Sequence, residues 1–303
     1  MLKPSCSLKF IQTLSAGIDH LLSNPIVKET RIPITNSSGV HGPPIAEWTV
    51  MNWLVASRKY ISIYEAQQRH QWDGFRNMYG IHDQVGARVG ILGYGAIGRQ
   101  IGRVASALGA TVYAYTASPR STPASRKDPG YVVPGTGDPD GTIPISWHHG
   151  LGKEALHSFL SIGLDHLVIS LPLTSETTHL LSAQEFEILA NASSSSSSVP
   201  SVKNTIRKPY LTNISRGKVV DQTALVEALH SGLLGGAAVD VTDPEPLPPG
   251  NPAWDAPNLQ ISPHLSSLGV EYLERVFDIV RVNLDRHRKG EPLINEYKRG
   301  RSY

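Results

Sequence analysis

Cysteine is nearly absent from this sequence, in which Cys6 is the single cysteine among 303 residues. One cysteine excludes an internal disulfide, and without paired Cys/His spacings no zinc site is predicted, so no metal is expected. Long apolar runs are also lacking: no window approaches the roughly 18 apolar residues of a transmembrane helix, and residues 1–10 lack the apolar core of a signal peptide. These absences favour a reducing compartment, and we expect a cytoplasmic protein with no membrane partner.

The sequence also lacks an excess of either positive or negative charge. The 28 Lys and Arg residues nearly balance the 26 Asp and Glu residues, which leaves a formal net charge of +2. Such a chain has no strong net field, so neither a nucleic acid nor an anionic membrane surface is an expected partner. Small or moderately acidic partners remain open, and the hydrophobic content of 40% allows a sizeable buried core.

Short apolar runs alternate with helical patterns between about residues 88 and 264, which is typical of βαβ units. One of the helical patterns, Thr223–Leu234, has leucines at every fourth position and is followed by a glycine pair. The predicted fold class is therefore α/β, with a doubly wound parallel sheet. Its six predicted strands are Arg88–Leu92, Thr111–Tyr115, His166–Leu171, Pro209–Ile214, Gly236–Val241 and Leu259–Ser262.

Two flanks lie outside this block, and together they predict a second, discontinuous domain made of residues 1–42 and 266–303. A long apolar helix, Ile45–Tyr64, is expected between the two domains, either at a site or as a plain core helix. An amphipathic helix is predicted over Val270–Arg288. Its predicted buried stripe consists of Leu273, Phe277, Val280 and Leu284.

Two stretches have the composition of solvated insertions. Ser118–Gly150 holds six prolines and five glycines, and Asn191–Pro209 contains six consecutive serines. Because such compositions bury little apolar area, both stretches are predicted to be surface loops.

A glycine motif, GYGAIG, follows the predicted strand Arg88–Leu92 and precedes an amphipathic helix. In this context the first glycine permits a tight turn, the second lets the backbone approach a pyrophosphate, and the third packs the helix on the strand. The free N–H groups of the helix N-terminus favour the anion. A ligand-free turn is the alternative. The predicted dinucleotide contacts are Gly93, Tyr94, Gly95, Ala96, Ile97 and Gly98.

The end of the second strand indicates which dinucleotide binds. A carboxylate there would accept hydrogen bonds from the ribose of NAD, but the chain has Thr116, Ser118 and Arg120, and its first acid is Asp128. Hydroxyls and a guanidinium bind a 2′-phosphate by charge-assisted hydrogen bonds. NADP is therefore the preferred cofactor. Alternatively, Arg120 is a solvated loop residue and NAD also binds.

Three polar residues follow strands in the second half of the sheet: Arg216, Glu245 and His264. Ligands of open α/β sheets bind beyond the carboxyl ends of the strands, so these side chains are expected in one crevice. Reduction of a ketone by hydride requires a proton donor, for which histidine is suited. A carboxylate would orient the imidazole, and an arginine would bind a substrate carboxylate in bidentate fashion.

Several motifs, taken together and in this order, resemble those of the D-isomer-specific 2-hydroxyacid dehydrogenases, over a match from Ile11 to near the C-terminus. The motifs are LSAGIDHLL at Leu14, AEW at Ala46, GILGYGAIGR at Gly90, LPLTSETTHLL at Leu171, TNISRGKVVDQTALVEALHSGLL at Thr212, GAAVDVTDPEPLP at Gly236 and SPHLSS at Ser262.

The resemblance implies roles for individual residues. Arg216 would bind the substrate carboxylate and orient the carbonyl, His264 would be the general acid and base, and Glu245 would be its carboxylate partner. The backbone of Ser15, Ala16 and Gly17 would form a substrate-carboxylate loop. The remaining cofactor contacts would come from Asp240, at the nicotinamide carboxamide, from Pro172, at the adenosine side, and from Ser215.

The resemblance also implies an architecture and an activity. Residues 43–265 would form an NAD(P)-binding Rossmann domain. Residues 1–42 plus 266–303 would form a flavodoxin-like substrate lobe that is shortened at its N-terminus relative to the family. The YTASPR segment at Tyr115 is closest to NADPH-dependent glyoxylate and hydroxypyruvate reductases, and the family pairs as homodimers. The alternatives are a corepressor-like interaction protein that binds a dinucleotide and a catalytically impaired family member.

Overall fold

A computed structural model describes residues 8–18, 21–72, 80–195 and 207–298 of the chain. Its centre is a seven-stranded sheet in which every neighbouring pair of strands is parallel. The strands are β3 (Arg88–Leu92), β4 (Thr111–Thr116), β5 (Ser146–His149), β6 (His166–Ile169), β7 (Tyr210–Asn213), β8 (Gly236–Val239) and β9 (Leu259–Ile261).

The strand order across the sheet is β5-β4-β3-β6-β7-β8-β9. From β3 the chain adds β4 and β5 on one side, and it then crosses back to add β6, β7, β8 and β9 in turn on the other side of β3. This is the doubly wound arrangement predicted from the sequence. The six predicted strands are confirmed, with ends that shift by at most two residues. The reversal between β3 and β6 creates the crevice in which ligands of such sheets bind.

Helices cover both faces of the sheet. The first face carries α2 (Gly42–Ser57) and α4 (Ala96–Ala107), which bury Trp53 and Ile101; Trp53 packs on His166 of β6 and donates to Thr212 of β7. The second face is covered by α6 (Lys153–Leu160), α7 (Ala183–Ser195) and α8 (Gln222–His230), which bury Phe159, Phe186 and Leu225. A sheet covered on both faces accounts for the apolar strands, since all four residues of β6 and of β8 are buried.

The prediction that Ser118–Gly150 is a solvated loop was wrong. The stretch contains α5 (Pro123–Arg126) and the edge strand β5, and it buries Asp138. The first residues of Asn191–Pro209 were also misassigned, because α7 continues to Ser195. Residues 196–206 of that stretch lie outside the described part of the chain.

The predicted single helix Ile45–Tyr64 is two helices. The first, α2, ends at Ser57, and α3 (Tyr60–Gln68) begins after Lys59, which has a φ of 52° in the left-handed region. A continuous helix requires a right-handed backbone at every residue, so this one residue separates the two segments. Among the described residues, no helix is long and apolar enough to cross a membrane.

The two flanks meet in a second, smaller layer. In it β1 (Ile11–Gln12) pairs in parallel with β2 (Ile34–Thr35), α1 (Pro25–Glu29) lies between them in sequence, and α9 (Tyr272–Lys289) packs on Val40. The predicted stripe of α9 was wrong: Leu273, Phe277 and Leu284 are exposed and Val280 is only half-buried. The residues that α9 buries are Val276, Ile279 and Asn283.

Candidate active site

The turn between β3 and α4 holds the glycine motif. Gly93 has a φ of +93°, and an added Cβ would lie 2.4 Å from the carbonyl oxygen of Ser170, so a larger residue does not fit. A Cβ on Gly98 would lie 2.4 Å from the carbonyl oxygen of Gly93. At Gly95, in contrast, a Cβ would meet nothing within 4 Å. Two of the glycines are thus required by packing, whereas Gly95 faces open space.

This open space fits the pyrophosphate of a dinucleotide. Gly95 is the N-cap of α4 and has no side chain with which to satisfy the first N–H groups of the helix, which are therefore available to an anion. Ala96 and Ile97 in the first turn are half-buried. Because Gly93 packs against the backbone of Ser170, the segment that leads to Pro172 borders the same crevice.

The side chain of Tyr94 does not face this crevice. It is buried, and its hydroxyl donates to Oδ2 of Asp138 at 3.1 Å. Burial, with the Asp138 carboxylate adding to it, raises the pKa of Tyr94 well above its ordinary value, so the phenol stays neutral. Arg99 donates to the carbonyl of Asp138 and forms an ion pair with Asp128 at 3.5 Å. This buried cluster, which the sequence did not reveal, binds residues 128–138 to α4.

The predicted 2′-phosphate residues follow β4. Thr116 ends the strand, and its hydroxyl donates to the carbonyl of Ser118, which is exposed. Arg120 is half-buried and donates from Nη1 to the carbonyl of Ser125 at 2.7 Å. One of its five N–H donors is therefore committed to α5. The guanidinium is consequently held against α5.

Asn213, a residue that the sequence did not single out, builds the turn that carries Arg216. Its Oδ1 accepts from the amide of Ser215 at 3.1 Å and from the hydroxyl of Ser215 at 2.8 Å, and its Nδ2 donates to the carbonyl of Arg216 at 3.1 Å. Ser215 is therefore buried in the turn. A Cβ on Gly217 would lie 1.9 Å from the carbonyl oxygen of Thr242, so the Arg216 turn contacts the loop after β8 directly.

The loops after β8 and β9 bring His264 and Glu245 together. Nδ1 of His264 lies 2.7 Å from Oε1 of Glu245, and both side chains are partly exposed, at 44% and 42%. A carboxylate only accepts hydrogen bonds, so Nδ1 is the donor and Nε2 remains for another partner. The neighbouring strands β7, β8 and β9 thus place the Arg216 turn and the His264–Glu245 pair on one edge of the sheet.

The carboxylate of Asp240 lies at the end of β8 and is buried. It accepts hydrogen bonds from the backbone amides of Leu265 and Ser266 at 2.9 and 3.0 Å. It also accepts from the hydroxyl of Ser262 at 2.5 Å and from the hydroxyl of Ser266. All four donors belong to the loop that carries His264.

The predicted substrate loop follows β1. Leu14, Ser15 and Ala16 form a bend that leads into Gly17, and the hydroxyl of Ser15 donates to the carbonyl of Gly17 at 2.7 Å. The hydroxyl of Tyr272, at the start of α9, donates to the carbonyl of Leu14. This contact connects the substrate loop to the segment that follows His264.

The sequence model described as "D-isomer specific 2-hydroxyacid dehydrogenase, NAD binding domain" matches residues 50–133 and 147–266. These ranges contain the glycine motif, the Arg216 turn and the His264–Glu245 pair. The chain belongs to the D-isomer-specific 2-hydroxyacid dehydrogenase family. As a member it is an NAD(P)-dependent oxidoreductase that interconverts 2-hydroxyacids and 2-oxoacids.

Curated relatives in this dehydrogenase family include a glyoxylate reductase of Thermofilum pendens. It is 30% identical over 287 residues, which are 94% of this chain and 73% of the relative. The glyoxylate reductase/hydroxypyruvate reductase of Mus musculus is 30% identical over 297 residues, or 96% of this chain and 77% of the relative. The chain thus spans about three quarters of the length of these dehydrogenases.

A solved structure in the same dehydrogenase family has the same fold. The NADPH-dependent glyoxylate/hydroxypyruvate reductase of Sinorhizobium meliloti, in complex with NADP and sulfate, superimposes with a TM-score of 0.73 at 26% identity. The match covers 97% of this chain and 80% of that one. The similarity extends over both sheets, because a match of this extent includes the flanks as well as the central sheet.

Proposed function

We propose that this protein reduces small 2-oxoacids of the glyoxylate and hydroxypyruvate class with NADPH. The observation that carries the proposal is the His264–Glu245 pair, held at 2.7 Å beside the turn of Arg216 at the carboxyl edge of the sheet. The names of the relatives, which are glyoxylate and hydroxypyruvate reductases, support this substrate class.

In the proposed reaction the guanidinium of Arg216 binds the substrate carboxylate, together with the backbone of Ser15–Gly17. This contact orients the carbonyl toward His264. NADPH, when bound at the glycine motif, would supply the hydride that the carbonyl carbon accepts and would leave as NADP. His264 donates the proton from Nε2 to the carbonyl oxygen as the double bond becomes the single bond of an alcohol, and Glu245 stabilises the imidazolium before transfer.

The decisive test measures the rate of NADPH oxidation, from the decrease in absorbance of the reduced nicotinamide, in the presence of glyoxylate, hydroxypyruvate, pyruvate or phenylpyruvate. We expect turnover with the first two substrates, and a roughly 10²- to 10⁴-fold loss in His264→Ala, because a general acid contributes about that factor. Binding of NADPH without turnover of any 2-oxoacid would overturn the proposal and favour a catalytically impaired or corepressor-like protein.

The preference for NADPH rests on the end of β4, where Thr116, Ser118 and Arg120 stand in place of a carboxylate. The solved reductase from Sinorhizobium meliloti, which is named as NADPH-dependent and contains NADP, supports the same cofactor. Replacing Arg120 by Gln is expected to raise the KM for NADPH and to leave the KM for NADH unchanged. Lys127→Gln, an exposed cation in the same stretch, is the matched control. An equal effect on both cofactors would contradict the preference.

We also propose a homodimer that pairs through α2 and α3. Their outer face exposes apolar side chains that a monomer would leave in water: Met51, Leu54, Tyr60, Ile61, Ile63 and Tyr64. Light scattering should give twice the mass of the chain, and Ile61→Asp should halve it. Ile145→Asp, an exposed apolar residue elsewhere on the surface, should not change the mass. A monomeric wild-type protein would contradict the dimer.

A cytoplasmic location is part of the proposal as well, and the single cysteine supports it. Fluorescence microscopy of the tagged full chain tests it.

A further inference from the structure

The loop Ser262–Ser266 holds His264 in an unusual backbone conformation. His264 has a φ of +57°, in the left-handed region, where residues other than glycine are uncommon. A residue stays there only when the surrounding structure holds it in place. The backbone amide of His264 donates to the carbonyl of Asp240 at 2.9 Å, so the main chain at the end of β8 supplies one of the contacts that hold the loop.

The side chain of Asp240 supplies the others. Its Oδ1 accepts from the hydroxyl of Ser262 and the amide of Leu265, and its Oδ2 accepts from the amide and the hydroxyl of Ser266. The donors bracket His264 on both sides along the chain. The carboxylate is only 2% exposed, and hydrogen bonds to a buried charged acceptor are about twice as strong as those to a neutral one.

We propose that Asp240 is the positioning residue for His264: its carboxylate holds the loop Ser262–Ser266 so that the imidazole meets Glu245 and the substrate carbonyl. The proposal rests on the reductase function proposed above. It is separate from the role that the family resemblance implies, in which Asp240 accepts a hydrogen bond from the nicotinamide carboxamide. The four donors of the loop bond to the carboxylate in the protein alone, so the positioning role does not depend on that contact.

The first test separates the chemical step from cofactor binding. In Asp240→Asn, one acceptor oxygen becomes an NH₂ group that faces the donors of the loop. We expect kcat to fall on the order of 10²-fold, because a misplacement of about 1 Å costs that much, while the Kd for NADPH rises at most about tenfold, as for the loss of one hydrogen bond. Ser266→Ala removes one donor and should lower kcat about tenfold. Ser267→Ala is the matched control, since among the described contacts its hydroxyl does not bond to Asp240, and it should behave as wild type.

A second test distinguishes the loop from the carboxamide. The 3-acetylpyridine analogue of NADPH replaces the carboxamide NH₂ by a methyl group, so it cannot donate to a carboxylate. If Asp240 positions His264, Asp240→Asn lowers kcat/KM on the order of 10²-fold with the analogue as well. If Asp240 acts only through the carboxamide, the analogue has the same kcat/KM with wild type and with Asp240→Asn, and this result overturns the proposal.

A third measurement does not need turnover, and it separates failure of this inference from failure of the proposed function. Hydrogen–deuterium exchange at the amides of Leu265 and Ser266 should be at least about tenfold faster in Asp240→Asn than in wild type, because both amides lose a charged acceptor. Exchange in Ser267→Ala should equal that of wild type. Unchanged exchange in Asp240→Asn would show that the carboxylate does not hold the loop, whether or not the wild-type chain reduces any 2-oxoacid.

Discussion

Nδ1 of His264 lies 2.7 Å from Oε1 of Glu245, although the two residues belong to loops that follow different strands. Both side chains are more than two fifths exposed, and an exposed ion pair contributes little to stability. The pair therefore matters for orientation, because a carboxylate on Nδ1 fixes the tautomer of the neutral ring and directs Nε2 to the reacting atoms.

Glu245→Gln tests this use of the carboxylate. Glutamine keeps a carbonyl acceptor for Nδ1 but removes the negative charge that stabilises the imidazolium. We expect kcat/KM for the 2-oxoacid to fall roughly 10- to 100-fold, which corresponds to the 1.5–3 kcal/mol of a charged hydrogen bond. Steady-state kinetics measures the loss, and Glu227→Gln, an exposed residue of α8, is the control. Activity equal to wild type in Glu245→Gln would exclude the orienting role.

Arg216→Lys tests recognition of the substrate carboxylate. Lysine keeps the charge but lacks the planar pair of N–H donors that binds a carboxylate in bidentate fashion. The substitution should lower kcat/KM for the 2-oxoacid about 10- to 100-fold and leave the Kd for NADPH unchanged. Fluorescence titration with NADPH separates the two quantities. A loss of affinity for NADPH in Arg216→Lys would show that the guanidinium contacts the cofactor instead.

Residues that form local patterns were predictable from the sequence, and residues selected by tertiary contacts were not. The glycine motif could be located because strand, turn and helix follow one another directly in the chain. The edge strand β5 was missed because the prolines and glycines around it obscure the strand pattern. Helix α9 has two apolar stripes of nearly the same spacing, and only its packing on Val40 decides that Val276 and Ile279 are buried instead of Leu273 and Phe277.

The polar side chains that hold the loops of the site, Asn213 and Asp240, also differ in how far their contacts could be predicted from the sequence. Asn213 stands at the end of β7 and two residues before Ser215, a spacing at which asparagine side chains commonly bond to the backbone, so a local signal was available. Asp240 left no such signal, because its donors lie more than 20 residues further along the chain and meet it only when β8 and β9 pair.

Two buried histidines predict how stability depends on pH. Burial lowers the pKa of His41 to about 4 and that of His166 to about 3, from an ordinary value of 6.5. Below pH 6.5 the unfolded chain therefore binds protons that the folded chain does not, and stability falls with decreasing pH down to about 4 for His41. Each histidine contributes about 1.4 kcal/mol per pH unit over its window, so from pH 7 to 5 each costs about 2 kcal/mol.

Urea unfolding of wild type and His41→Gln at both pH values measures this effect. The variant should lose about 2 kcal/mol less than wild type between pH 7 and 5. His70→Asn is the control, since His70 is exposed and asparagine tolerates its left-handed conformation. Equal losses in wild type and His41→Gln would show that His41 takes up a proton in the folded state.

Glycine substitutions separate cofactor binding from folding within the one motif. An added Cβ at Gly95 meets no atom within 4 Å, so Gly95→Ala should lose no more stability than alanine at another N-cap. Its affinity for NADPH should fall at least about tenfold, because the methyl group occupies the approach of the pyrophosphate. At Gly98 the methyl group would lie 2.4 Å from the carbonyl oxygen of Gly93, so Gly98→Ala should unfold about 1–3 kcal/mol more easily. Gly152→Ala is the matched control, because Gly152 is also an extended N-cap, at the start of α6, and an added Cβ there meets no atom within 4 Å. This variant should show the loss of stability that alanine causes at an N-cap, with an unchanged affinity for NADPH. Wild-type affinity in Gly95→Ala would place the pyrophosphate elsewhere, whatever the stability of the variant.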